Sequence, residues 1–202
     1  PTGGGKTEAY LGLSCVVMFY RRLAADGQES GSGTAVLTRY TLRLLTMQQF
    51  ERTARVICAC ESVRRTLDDE LGGEPFSIGL YVGKPATPNK LGEAQELIDK
   101  RGAESNQTTL PTKVCPWCST KLKYENQLVQ NGRLITRCTG KGCEFAEGIP
   151  FTCIDEEIYS HPPSFLVGTV DKFAQITWEP ASGAILGNPG LKIPPPNLII
   201  QD

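Results

Sequence analysis

The chain contains no apolar run approaching the ~20 residues that a membrane-crossing helix needs, which excludes a transmembrane helix and any membrane partner that depends on one. It carries almost no net charge, −1 at pH 7 over 202 residues, so no overall basic field marks it as a nucleic-acid binder. There is a single histidine, His161, which is followed by two prolines and reads as a loop residue rather than a ligand. Internal repeats, a signal peptide and an initiating methionine are also missing. Because the chain opens inside one motif and closes inside another, it is expected to be an internal piece of a longer protein. What remains is ordinary: 40% hydrophobic and 21% charged residues exclude disorder and a fibrous repeat. One large domain, or one domain with a small insert, is the expected organisation.

Strand-like and helical patterns alternate. Residues 6–24 read as a helix, with Leu13, Val16, Tyr20 and Leu23 on one face. A Gly-rich loop at 26–33 precedes a buried strand at 34–38. A long helix follows from about Thr41 to Leu67, with an apolar stripe of Met47, Phe50, Ala54 and Ile57. Further strands are expected at 77–82, 163–168 and 197–201, and helices at 91–101 and 169–177. Strands alternating with helices argue for an α/β fold with a parallel sheet. Residues 113–150 differ, holding closely paired cysteines and two strand-like runs, KLKYE and LITRC. The expected division is therefore 1–90 as the first part of the α/β lobe, 91–112 as a helical and linker segment, 113–150 as an insertion, and 151–202 as the return to the lobe. The charge follows this division unevenly, basic in 1–60 and 105–150 and acidic in 61–104 and 151–202.

The first residues, Pro1-Thr2-Gly3-Gly4-Gly5-Lys6-Thr7, supply the end of the phosphate-loop pattern G-x-x-x-x-G-K-S/T ahead of a helix. Glycines at 3, 4 and 5 let backbone N–H groups turn toward phosphates without a Cβ clash, and the helix adds its positive N-terminal end. Thr2 to Thr7 are thus the candidate ATP-binding residues. Lys6 would reach the β- and γ-phosphates and the Thr7 hydroxyl would hold Mg²⁺. The plainer reading is a Gly-rich loop that only caps a helix. A phosphate-loop enzyme also needs an acid at the end of a neighbouring strand, and Asn197 to Asp202 has that form. Asp202 is the candidate second Mg²⁺ ligand and, with Lys6, a candidate catalytic residue; without the phosphate loop it would read as a solvated loop Asp.

Of eight cysteines, four are spaced as Cys115-x2-Cys118 and Cys138-x4-Cys143. Four soft thiolates in two close pairs suit tetrahedral Zn²⁺, and the strand-like runs between them suggest a zinc ribbon. With all four positions filled, no coordination site is left open for catalysis. Four unrelated thiols or a disulfide pair are the alternatives. Cys15, Cys58 and Cys60 lie in apolar helical patterns and Cys153 is a spare thiol, all expected to pack as small hydrophobes. A disulfide framework fits small secreted chains better than this one, so a reducing cytoplasm is the expected compartment. Lys113, Lys121, Lys123, Arg133, Arg137 and Lys141 could line a ribbon face toward a phosphate backbone, or the ribbon could dock a protein; the sequence leaves both open.

At these residues the chain resembles superfamily 2 helicases. Pro1 to Glu8, PTGGGKTE, matches their first motif, typically PTGxGKTE. Tyr40 to Gln49, YTLRLLTMQQ, is similar to the second, YPTKALAxxQ, with Thr41 where Pro is usual. Thr169-Val170-Asp171-Lys172-Phe173 is similar to the TPGRL-type motif, with Val170 where Pro is usual, and Asp202 would open the DExH box. The motifs occur in the family's order across the chain. Within that superfamily, the runs RYTLRLLTMQQF, GTVDKF and NLIIQD with a Cys-rich insert resemble the helicases of the DISARM anti-phage systems. The resemblance implies a RecA-like P-loop NTPase lobe interrupted by the ribbon, and a bacterial defence protein that couples ATP hydrolysis to movement on nucleic acid, namely DNA. Partners would be DNA and other proteins of the defence system. By motif position, Arg43 and Thr169 would contact the nucleic-acid backbone, then Lys172 and Arg39. The piece alone would be inactive, since it lacks the catalytic Glu, the second lobe and that lobe's arginine finger. Two other readings remain: a P-loop switch indifferent to nucleic acid, whose ribbon docks a protein, and a binding module whose nucleotide site is vestigial.

Overall fold

The structure, a computed structural model, describes residues 5–25, 31–72, 74–100 and 106–201. Thr2, Gly3, Gly4 and Asp202 from the expected nucleotide site lie outside the described residues, as does the side chain of Arg43. In chain order the elements are α1 (Lys6–Leu23), β1 (Val36–Tyr40), α2 (Arg43–Thr66), α3 (Asp68–Leu71), β2 (Ile78–Tyr81) and α4 (Leu91–Asp99). They continue as β3 (Gln127–Gln130), β4 (Arg133–Thr136), β5 (Phe151–Thr152), α5 (Asp155–Ser160), β6 (Phe165–Thr169), α6 (Val170–Ala174) and β7 (Leu198–Gln201). Five strands form one sheet in the order β5-β2-β6-β1-β7. Every pairing in it is parallel. The expected mixed α/β architecture with a parallel sheet is what the chain adopts.

β2 and β6 are buried at every position because both sheet faces are covered. On one face Phe50, Ala54 and Ile57 of α2 pack with Val36, Ile78, Leu80 and Phe165. On the other, Leu37, Tyr81 and Leu166 meet Ile158 of α5 and Phe173 of α6. Gly168 is required where β6 passes β2, since a Cβ there would lie 2.6 Å from Tyr81 O. The α2 stripe expected from periodicity is the buried one, and Arg52 and Arg55 point outward.

α1 corrects the sequence reading. Leu13, Val16, Tyr20 and Leu23 do share a face, but that face is 49% to 69% exposed. The buried stripe is Ser14, Met18 and Arg21. Arg21 explains how an arginine takes a core position. Its guanidinium donates to Gly31 O, Ser32 O, Thr34 O, Pro194 O, Pro195 O and Asn197 Oδ1 at 2.7–3.4 Å. It thereby ties the end of α1 to the entry of both β1 and β7, and burial lowers its pKa to about 10.

The inserted segment is built on the antiparallel hairpin β3–β4. Its two-residue turn, Asn131-Gly132, has positive φ at both positions (52° and 72°), the conformation a tight hairpin demands and one Asn-Gly tolerates. The expected strand KLKYE is mostly irregular: Lys121 makes one bridge to Val114, and Tyr124–Asn126 form a 3-10 turn. The strand lies just beyond it. Among the described residues, no helix is long and apolar enough to cross a membrane.

Candidate metal centre and nucleotide site

The four paired cysteines converge. Cys115, Cys118, Cys138 and Cys143 place their sulfurs within 4.8 Å of one another. Cys115–Cys143 and Cys118–Cys138 are 3.9 and 3.4 Å apart. A Zn–S bond of about 2.3 Å gives a tetrahedral S–S edge of about 3.8 Å, which these values bracket, whereas a disulfide needs about 2.05 Å. The backbone shapes the site from both sides. Cys115 N donates to Thr120 O and Ser119 N to Cys115 O, folding the first pair into a knuckle. Cys138 N donates to Phe145 O and Cys143 N to Gly140 O in the second. A Cβ on Gly140 would lie 2.8 Å from the Cys118 sulfur, so the spacer glycine keeps that space clear. Burial pushes the Cys115 and Cys143 thiols up, while the Thr120 side chain beside Cys118 holds that thiol down, to about 6. The cluster is compatible with a zinc-ribbon insertion and could hold a metal ion such as zinc.

The cluster is not isolated from the lobe. Ser62 Oγ donates to Glu144 Oε2 at 2.7 Å, and Arg65 Nη1 to Glu144 O at 3.0 Å. The Arg65 guanidinium lies 4.8 Å over the Phe145 ring, which meets Trp117 edge-on. The last turns of α2 are thus packed against the cysteine loops. Cys153 is buried in the interior, and His161 ends α5 beside Ser160 with no part in the cluster.

At the other candidate site, Gly5 has φ 66°, a left-handed turn suited to glycine, and the chain enters α1 at Lys6. Among the described residues no side chain caps α1, whose N-cap is Gly5, and the first N–H groups of a helix have no partner within it. Lys6 is exposed and Thr7 half-buried. Thr7 lines a cleft of about 10 Å³ with Thr38, Tyr40 and Ile200, which sets it beside β1 and β7. Glu8, the last residue of the motif, pairs with Arg52 and links α1 to α2.

The other expected contacts sit at the carboxyl ends of adjacent strands. Arg39 is aligned with Gly168 on one side and Gln201 on the other, and it donates to Gln201 Oε1. Thr169 ends β6 opposite Tyr40 and precedes α6. Arg43 opens α2. Lys172 departs from expectation. It is 4% exposed, its ammonium pairs with buried Asp155, and it lies 5.1 Å over the Tyr81 ring. A lysine held this way faces the interior of the lobe and ties α6 to Asp155. Burial pushes the Asp155 carboxyl up and Lys172 opposes that shift. Lys172→Ala strands a buried carboxylate and is expected to cost about 3–5 kcal/mol. A urea midpoint checks this, with Asp155→Asn/Lys172→Met recovering most of the loss. The sequence offered no sign of the Asp155 partner, seventeen positions away. A larger cavity, about 430 Å³, opens at the opposite strand ends near Ser77, Pro150 and Ser164, away from all these residues.

No protein-family model matches the chain. A curated relative does match, the DISARM protein DrmA of Bacillus paralicheniformis, and the chain spans 18% of that relative's length. The chain is similar to that protein, with 39% identity over 93% of its own residues.

Proposed function

We propose that the chain is the nucleotide-binding part of an ATP-dependent DNA helicase or translocase acting in bacterial anti-phage defence. The similarity to DISARM protein DrmA supports the defence role. The observation that carries the motor reading is the convergence at one sheet end. Lys6 and Thr7 at the start of α1, Arg39 and Gln201 on β1 and β7, and Thr169 on β6 all lie where α/β sheets bind ligands.

In this reading the first N–H groups of α1 donate to phosphate oxygens, and the Lys6 ammonium offsets the charge that builds on the γ-phosphate as water attacks. The Thr7 hydroxyl and, from its place in the sequence directly after β7, the Asp202 carboxylate would offer oxygen donors, a set that suits Mg²⁺ rather than a soft metal. Mg²⁺, when bound, supplies further neutralisation of the phosphates. Thr169 and the start of α2 at Arg43 would meet the nucleic-acid backbone without reading sequence.

The test is ATP hydrolysis by the full-length protein with and without single- and double-stranded DNA, beside a Lys6→Ala control. DNA should stimulate turnover, and the substitution should lower it by ~100-fold or more. Hydrolysis indifferent to DNA would instead support the switch reading. The inward-facing Lys172 already favours that reading at one position.

A further inference from the structure

Outside the four-cysteine cluster, the first two long helices bring another pair of thiols together. Cys15 lies midway along α1 and Cys60 near the end of α2. Their sulfurs are 3.6 Å apart, with the Cys60 thiol donating to Cys15. Cys60 is buried and Cys15 half-buried, so only Cys15 is open to a small solute. Cys58 does not compete. Two positions earlier on a helix it faces another way, and burial pushes its thiol up to about 12.

We propose that Cys15 and Cys60 form an oxidative cross-linking site for a small peroxide, with Cys15 as the attacking thiolate and Cys60 as the resolving thiol. The hydrogen bond from Cys60 lowers the Cys15 pKa to about 7, which gives Cys15 thiolate character near neutrality. The same pairing pushes the Cys60 thiol up, so the two sulfurs start in different protonation states.

The Cys15 thiolate attacks one oxygen of hydrogen peroxide. An S–O bond forms, the O–O bond breaks, and hydroxide leaves and is protonated to water. Cys15 is now a sulfenic acid and no longer holds the Cys60 proton in a hydrogen bond to a thiolate. Cys60 loses its proton and attacks the Cys15 sulfur. The S–S bond forms, the S–O bond breaks, and a second water departs. Two electrons pass from the thiols to one peroxide. A disulfide of about 2.05 Å requires the sulfurs to close by only about 1.5 Å, within the reach of side-chain rotation. The bond would staple α1, which starts at Lys6, to α2, which starts at Arg43. Its chemistry does not depend on whether the protein hydrolyses ATP.

The experiment treats full-length, zinc-loaded protein with hydrogen peroxide, blocks remaining thiols with N-ethylmaleimide, and maps the digest by mass spectrometry. The expected product is a Cys15–Cys60 linked peptide that dithiothreitol reverses, formed without release of zinc. Oxidised protein should also melt several degrees higher until reduced. Cys60→Ser should leave a sulfenic acid on Cys15 that dimedone labels, and Cys15→Ser should leave Cys60 free to alkylate. If the wild-type protein keeps Cys15 reduced while other cysteines oxidise, or drives it to sulfinic acid without joining Cys60, the proposal is wrong. The wild-type mapping decides this even where a serine variant folds poorly.

Discussion

Stripping metal from the full-length protein is expected to unfold residues 113–150 and to loosen the last turns of α2. The inserted segment buries little besides Leu122, Leu134, Phe145 and Ile149 around its cysteines. Such a small core cannot offset the ordering of its loops, so the metal would supply most of the folding energy. For structural zinc in zinc-finger peptides the apparent binding free energy at neutral pH is about 10–16 kcal/mol. The damage should spread because Ser62 and Arg65 both bond to Glu144, and Arg65 covers Phe145. Hydrogen exchange should therefore rise at 113–150 first and then around residues 58–66. Cys115→Ser should reproduce the effect. Metal affinity should weaken as pH falls: burial raises the Cys115 and Cys143 thiols, and both must lose protons to bind. One zinc per chain by elemental analysis is the companion measurement. Protection unchanged after chelation would show that the cluster is a set of packed thiols.

Arg21→Ala should be among the most damaging substitutions in the lobe. Five carbonyls and the Asn197 amide oxygen accept from that guanidinium, and among the described residues no carboxylate shares the role. Leaving a buried acceptor without a donor costs about 1–3 kcal/mol, and water entering the new gap recovers only some of them. A loss of ~4 kcal/mol or more is expected in denaturant unfolding. Arg21→Lys should recover little, because a point-like ammonium cannot reach acceptors fanned around a planar fork. The loss should register at Pro194 to Asn197, where β7 is delivered to the sheet edge beside β1. A variant within 1 kcal/mol of the parent would show that these carbonyls find water on their own.

The two cases mark where the sequence was legible. Apolar runs located β1, β2, β6 and β7: β2 and β6 are buried on both faces and must be continuously hydrophobic, and the edge strand β7 carries a similar run although its positions alternate between half-buried and exposed. The 3.6-residue period located α2 and its buried side. Cysteine spacing brought the four sulfurs together, because metal-ligand loops are local. Legibility failed where the deciding contact is distant in sequence. The stripe on α1 was apolar and well spaced, yet Arg21 turned the opposite face inward through acceptors near residue 195. Lys172 resembled a contact residue by motif position, and only the fold supplied Asp155. The 3.6 Å approach of Cys15 to Cys60 had no local signal at all. Asn131-Gly132 is different: that dipeptide between strand-like runs was a readable hairpin signal, and it would have set β3 after KLKYE rather than within it.

The order of strands in the sheet has a kinetic consequence. β1 pairs with β6 and β7 and with no strand close to it in sequence. The central pairings must therefore wait until the chain has passed through the whole cysteine segment and returned. Loop closure of that kind slows folding and leaves apolar strands exposed meanwhile. A segment that condenses early around a metal ion brings the exit of β2 and the entry of β5 close together before the sheet exists. With a metal held there, the insertion would act as a clasp on the nascent chain, and metal supply during synthesis would set how long the lobe spends open to aggregation.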